Sequence, residues 1–262
     1  EVDVRELATA LIGLGGRHID HANPCVDVRL PGLRVHAVLP PVAPGGTAIS
    51  VRVARSADLD LDGLQRRGML DAADRGRLDG LVASRANVLV TGAAGCGKTT
   101  LLAAMLSQVP PNERIVTIED VAELQIRHPH HVRLEARQAN LEGAGGIDLA
   151  RLVREALRMR PDRLVVGECR GAEVRELLGA LNTGHDGGAG TLHANGLIDV
   201  PARLEALGAL AGLDDAALAR QVTSAIDVVL HLERRAGRRV LAGAGRPRVR
   251  GGRLEIEEQP CD

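Results

Sequence analysis

The chain has 262 residues, with 33 Lys and Arg against 34 Asp and Glu and a formal net charge of −1, enough length for one large domain or two modest ones. So even a balance removes any global electrostatic case for nucleic acid or an anionic membrane as partner, and no apolar run approaches the roughly 20 residues that span a bilayer. Phe, Tyr and Trp are absent altogether, so the core has to be built from Leu, Val, Ile, Ala and Met, and an adenine ring would have to rest on aliphatic or arginine surfaces.

The sequence opens on Glu1 without a signal-peptide pattern, which reads as an excised or processed piece. Residues 2–14 suit a short amphipathic helix with Leu7, Ala8, Leu11 and Ile12 on one face. Three strand-like segments follow: CVDVRL, LRVHAVL and AISVRVA. Val26, Val28 and Leu30 alternate to one side, as do Ile49, Val51 and Val53, leaving Arg29 and Arg52 on the wet face. Pro31-Gly32 and PPVAPGG supply the turns. Residues 1–57 are expected to form a small α+β domain with an antiparallel sheet. The polar, acidic run from Ser56 to Asp62 marks a linker. Residues 63–85 read as helical with interruptions at Gly68 and Gly76, so 58–85 are assigned as linker and first helices of a second domain whose body is 86–262.

That body begins with an apolar strand (Val88, Leu89, Val90) and, from Thr99 to Leu106, a helical pattern of Leu101, Leu102, Met105 and Leu106. Between them lies G-x-x-x-x-G-K-T: Gly92, Ala93, Ala94, Gly95, Cys96, Gly97, Lys98 and Thr99, with Thr100 next. Glycines let the backbone wrap a phosphate chain with its N–H groups inward, and the helix start adds partial positive charge. Lys98 would reach the outer phosphates and the Thr99 hydroxyl would hold Mg²⁺. Lys98 is the sole lysine of the chain; a compact ammonium is present where arginine's broad fork would not fit. As an exposed loop lysine it is expected to affect stability by only about 0.5 kcal/mol, so Lys98→Ala should remove turnover and spare the fold.

Strands and helices then alternate. RIVTIED is a strand ending in Glu119 and Asp120, LARLVREALRM a helix stopped by Pro161, RLVVGE a buried strand followed by Glu168, and GAEVRELLGAL a helix. Alternation of this kind implies a parallel sheet with helices on both faces and ligands at the carboxyl ends of the strands. Phosphoryl chemistry needs a carboxylate, a group that positions water, and cations. Glu119 and Asp120 taken alone read as solvated strand-end acids. Glu168 follows Gly167, where such strands usually carry aspartate, and is either the metal-organising acid or the one that positions water. In TGHDGGAGTLHAN, residues 183–195, His185 and His193 flank a glycine-rich loop that suits a segment sensing the γ-phosphate, although either histidine alone reads as structural. HPHH at 128–131 reads as a surface loop rather than a metal cluster. The Arg- and Gly-rich tail from Leu232 reads as strands joined by turns, with solvated arginines and nucleic-acid binding as the alternative. Cys25, Cys96, Cys169 and Cys261 form no C-x-x-C pair and read as reduced cytosolic thiols.

Four motifs in order, the phosphate loop, RIVTIEDVAEL, LRMRPDRLVVGECRG and NTGHDGGAGTLHAN, resemble the secretion-superfamily ATPases of type II and type IV secretion, pilus assembly and pilus retraction. The NTGHDG…TLHAN form, with HVRLEARQANLEG and VDVRLPG-LRVHAVLPP, is most similar to the tight-adherence (Flp) pilus ATPase, the CpaF-like subgroup. The resemblance runs from about Arg17 to about Leu232. It implies an α/β fold, a RecA-like P-loop ATPase domain with a mainly parallel sheet behind the small α+β domain, and it implies ATP and Mg²⁺. Carried over by motif, the catalytic group is Glu168, Lys98, Glu119, His193 and His185. The nucleotide contacts are residues 92–100 together with Arg29, Arg34 and Arg52, with Arg133 and Arg137 weaker candidates. The metal set is Thr99, Glu119, Asp120 and Glu168. The resemblance also implies a homo-hexamer at the cytoplasmic face of the inner membrane, pushing on integral platform proteins without direct nucleic-acid contact. The departures are the missing aromatics, Cys96 where small polar residues are common, and a shorter N-terminal extension. A GTP switch usually relies on an N-K-x-D segment to recognise guanine, which is impossible with Lys98 as the sole lysine. A nucleic-acid-dependent RecA-like ATPase is disfavoured by neutral charge and absent stacking aromatics; a nucleotide-binding scaffold with little turnover stays open.

Overall fold

The structure, a computed structural model, describes residues 3–53, 60–139 and 143–259. It divides into two compact units, Glu1–Asp58 with Asp120–Ala122 and Glu135–Asp148, and Leu59–Glu119 with Glu123–Leu134 and Leu149–Asp262. Most of the expected linker Ser56–Asp62, residues 140–142 of HVRLEARQANLEG and Cys261 lie outside the described residues.

In the first unit, helix α1 (Val4–Leu14) is capped by Asp3, whose carboxylate accepts the amides of Arg5 and Glu6. It packs Ala8 and Ile12 on the antiparallel sheet β1 (Cys25–Leu30), β2 (Leu33–Val38) and β3 (Ala48–Val53), against Val26, Val28, Val35, Ala37 and Leu39. The alternation read from sequence describes β1. It fails on β3, where Val51 and Val53 are 51% and 67% exposed. A helix about 10 Å across does not cover three strands, and of the two edge strands it is β3 that is left exposed. Two later segments also belong here. The Arg17 guanidinium donates to the carbonyls of Asp120 and Ala136, Arg29 donates to the carbonyl of Ala122, and Arg137 and Ile147 form an isolated antiparallel bridge.

The second unit starts with two helices, α2 (Leu61–Arg66) and α3 (Ala72–Ala83). The break falls at Gly68, at φ 71°, and a reciprocal capping box between Asp71 and Asp74 restarts the helix; Gly76 sits inside α3 without interrupting it. The rest runs β4 (Val88–Gly92), α4 (Lys98–Leu106), β5 (Ile115–Glu119), β6 (His131–Glu135), α5 (Leu149–Leu157), β7 (Arg163–Val166), α6 (Glu173–Leu181), β8 (Ala189–Leu192), a 3-10 turn (Leu197–Asp199), α7 (Val200–Leu210), α8 (Asp215–Ala225), β9 (Val228–Arg235), β10 (Arg238–Arg250) and β11 (Arg253–Gln259). The sheet order is β11-β10-β9-β4-β8-β7-β5-β6. Strands β9, β4, β8, β7 and β5 run parallel, while β9, β10 and β11 form an antiparallel meander. Every residue of β4, β5, β7 and β8 is buried, which is why they read as continuous apolar runs rather than alternating ones. The expected α/β architecture, a small antiparallel sheet followed by a mostly parallel one, is the one observed. Among the described residues no helix is long and apolar enough to cross a membrane.

Candidate nucleotide-binding site

The parallel strands all end on one edge of the sheet, and the G-x-x-x-x-G-K-T segment leaves β4 at that edge. Gly92 closes the strand at φ 144°, where an added Cβ would lie 2.4 Å from the carbonyl oxygen of Leu232 and 2.6 Å from Cys96 Sγ. Only glycine fits there. Ala93, Ala94 and Gly95 are exposed, Cys96 is buried, and α4 begins at Lys98 with Thr99 and Thr100 in its first turn. The first helical amide with a helical acceptor is that of Leu101, which donates to Gly97 at 2.9 Å, so the amides of Lys98, Thr99 and Thr100 are left for another partner. In contrast to the Asp-capped α1, α2, α3 and α8, this helix has no side-chain cap and no acid in its first turn. Such an end favours an anion.

Lys98 is not the exposed loop lysine expected from sequence; it is 6% exposed. Its ammonium donates to the carbonyls of Gly92 at 2.9 Å and Ala93 at 3.1 Å, and lies 3.3 Å from His193 Nδ1. Burial lowers its pKa from the ordinary lysine value, with Cys96 and Glu168 opposing. On the other side of the same imidazole, His193 Nε2 lies 2.8 Å from Glu168 Oε1. A lysine ammonium can only donate, so Nδ1 accepts and the proton sits on Nε2, facing the carboxylate. Burial lowers the His193 pKa, Glu168 raises it, and Lys98, Arg170 and Arg203 lower it further; the ring is held neutral in this tautomer. Glu168 Oε2 receives the Arg170 guanidinium at 2.6 Å. Arg170 had no assigned role. Its only signal was its place two residues beyond Glu168, after the end of β7.

Sheet order explains the cluster. β8 lies between β4 and β7, so His193, just past β8, falls between the loop after β4 and the acid after β7. Thr191 fixes the turn: its hydroxyl donates to the Gly167 carbonyl at 2.6 Å and its own carbonyl accepts the Cys169 amide at 2.8 Å.

His185 is not brought to this site. It precedes the opposite end of β8, where its Nδ1 lies 3.1 Å from the Ala180 carbonyl. Glu119 is 5% exposed beside Gly167, and its Oε1 accepts the amides of Glu123 at 2.8 Å and Leu124 at 3.0 Å, so this oxygen organises the chain after β5. Asp120 is exposed and belongs to the first unit. Arg29, Arg34 and Arg52 are also first-unit residues, directly opposite one another across β1, β2 and β3, with Arg34 paired to Asp27. Arg133 lies on β6, and Arg137 Nε donates to the Gly145 carbonyl at 2.8 Å. The histidines of HPHH have structural partners: His128 the Pro110 carbonyl, His130 the Arg114 guanidinium, and His131 the Thr117 hydroxyl.

The family described as Type II/IV secretion system protein matches residues 4–250. A putative conjugal transfer protein of Mycobacterium tuberculosis is 55% identical over 263 residues, covering 97% of this chain and 75% of that protein. The probable conjugal transfer protein TrbB of Sinorhizobium fredii is 34% identical, over 91% of this chain and 72% of its own. Among solved structures, the sulphate complex of the VirB11 ATPase from the Brucella suis type IV secretion system superposes with a TM-score of 0.55 at 24% identity, covering 93% of this chain and 80% of that one. That likeness is one of fold.

Proposed function

The chain belongs to the type II/IV secretion system protein family, and from that premise we propose that it is a Mg²⁺-dependent ATPase, the hexameric motor of a secretion, conjugation or pilus machine. The observation that carries the proposal is the single imidazole of His193 held between Lys98 and Glu168 at the uncapped start of α4. A phosphate grip and a catalytic acid are thereby wired to one another.

ATP is the substrate. Its outer phosphates offer Lys98 charged acceptors in place of the Gly92 and Ala93 carbonyls, and charge-assisted bonds are the stronger kind. The amides of Lys98, Thr99 and Thr100 face the same anion. When Lys98 turns to phosphate, His193 Nδ1 loses its donor, so the imidazole registers occupancy and relays it through Nε2–H to Glu168. Glu168, steadied by Arg170, accepts a hydrogen bond from water and orients it for in-line attack, while cations offset the charge of the transition state. The Thr99 hydroxyl and the Glu168 carboxylate are hard oxygen donors of the kind that hold Mg²⁺ together with substrate phosphates; bound there, the ion supplies charge neutralisation. For the arginine that offsets transition-state charge, a role that can be worth on the order of 10³ to 10⁵ in rate, the candidates are Arg29, Arg34 and Arg52.

The ring works at the cytoplasmic face of the inner membrane against integral platform proteins. The conjugal transfer names of the relatives favour a conjugation-type machine, while NTGHDG…TLHAN favours the tight-adherence pilus. Steady-state ATPase assay alongside mass measurement, with and without a non-hydrolysable analogue, tests the motor: turnover should rise with the hexamer population. ATP binding with no phosphate release at any assembly state would leave a scaffold instead.

A further inference from the structure

The phosphate loop gives a triphosphate its place and leaves the base without a partner, because the chain has no aromatic residue to stack on it. The sheet supplies a direction. Lys98, His193 and Glu168 gather on the β8–β7 flank of β4. The outermost phosphate therefore points to that flank and the nucleoside leaves toward the other, where β9 and β10 run. Their hairpin turns at Ala236 and Gly237, with φ of 48° and 79°, the two-residue turn that suits strand twist. It returns Arg239 over the loop. Arg239 Nε donates to the Gly95 carbonyl at 3.0 Å. Its Cδ lies 3.3 Å, and Met69 Cε 2.9 Å, from the point where a side chain on Gly97 would begin. The Leu241 amide donates to the Met69 carbonyl at 2.9 Å, so both side chains hang on one frame. Met69 is 5% exposed; Arg239 is exposed, and among the described residues its terminal nitrogens have no partner.

We propose that Arg239 and Met69 form the seat of the nucleotide base, an inference that rests on the ATPase reading of the loop. The planar, weakly hydrated guanidinium stacks on a ring face, and the polarizable Met69 thioether supplies the apolar contact beneath it. The bond to Gly95 holds the plane in position before any ligand arrives.

The test is calorimetric titration of the full chain with magnesium ATP and, separately, with magnesium tripolyphosphate, which has the phosphates and no base. Wild type, Arg239→Lys, Arg239→Gln and Met69→Ala are compared, with thermal melting as the check of folding. Arg239→Lys keeps the charge and loses the plane. ATP affinity is expected to fall roughly tenfold in both arginine variants, the worth of one stacked base, with tripolyphosphate affinity changed less than about twofold. An unchanged ATP affinity in the arginine variants overturns the seat, and so does an equal loss for both ligands, which would make Arg239 a phosphate contact. Wild type that binds tripolyphosphate as tightly as ATP overturns the seat alone. Wild type that binds neither removes the phosphate-loop reading and the seat with it.

Discussion

Lys98 shows how one residue can be legible in kind and illegible in state. Its place after two loop glycines reads as a phosphate contact, the role proposed for it, yet its burial and its bonds to Gly92, Ala93 and His193 come from folding. Lys98→Met is therefore the informative variant, since it keeps most of the stem's volume and removes the charge. Hydrolysis should be lost. Stability should move by less than about 1 kcal/mol in urea denaturation, because losing a desolvated charge offsets leaving two carbonyls without their donor. Glu168→Gln keeps the shape and the Arg170 and His193 neighbours while giving up the charge proposed to orient water. ATP affinity should stay within a few-fold and phosphate release should fall by at least about 10².

At the scale of the element, the glycine before Glu168 has a packing reason. A Cβ on Gly167 would lie 2.5 Å from Glu119 Cγ on the neighbouring strand β5. Gly167→Ala should push Glu119 off the amides of Glu123 and Leu124, costing about 1–3 kcal/mol and reducing turnover through a displaced Glu168; denaturation and steady-state assay together check both. The β5–β6 edge carries a pH dependence. His131 Nε2 lies 2.9 Å from the Thr117 hydroxyl, and burial, then Arg133 and His128, lower its pKa to about 4. The unfolded chain titrates near 6.5, so between about 6.5 and about 4 the unfolded state holds the extra proton. Stability is full above that window and declines as pH falls through it. His193 and His231 shift in the same direction, so the comparison needs His131→Gln. Urea midpoints at pH 7.5 and pH 5 should drop further in wild type than in the variant.

For the whole molecule, the two ends of the parallel strands in the second unit divide labour. The carboxyl ends hold the charged cluster. The amino ends are tied by Arg163, only 3% exposed, which donates to Glu113 at 2.6 Å and to the Val82 carbonyl at 3.1 Å. Arg85 reaches the same Glu113 at 3.1 Å and the Asp162 carbonyl at 2.7 Å. Breaking a buried pair from one side strands the other charge. Glu113→Gln should therefore cost roughly 3 kcal/mol in denaturation and leave kcat/KM for ATP near the wild-type value, since the knot lies at the far end of the sheet.

What the sequence by itself determined is local: the loop glycines around a sole lysine, the apolar runs that must be strands, and the acid two residues past the end of β7. These follow from spacings of a few residues, which backbone geometry converts directly into strand, turn and helix. Only the tertiary structure decided that His193 and not His185 meets Glu168, that Glu119 turns to backbone amides, that Arg170 joins the acid, and that 120–122 and 135–148 belong to the first unit. The meeting of His193 with Glu168 depends on which strands become neighbours, on β8 lying between β4 and β7. Strand order is set by burying all faces of the sheet at once, and no short spacing encodes it.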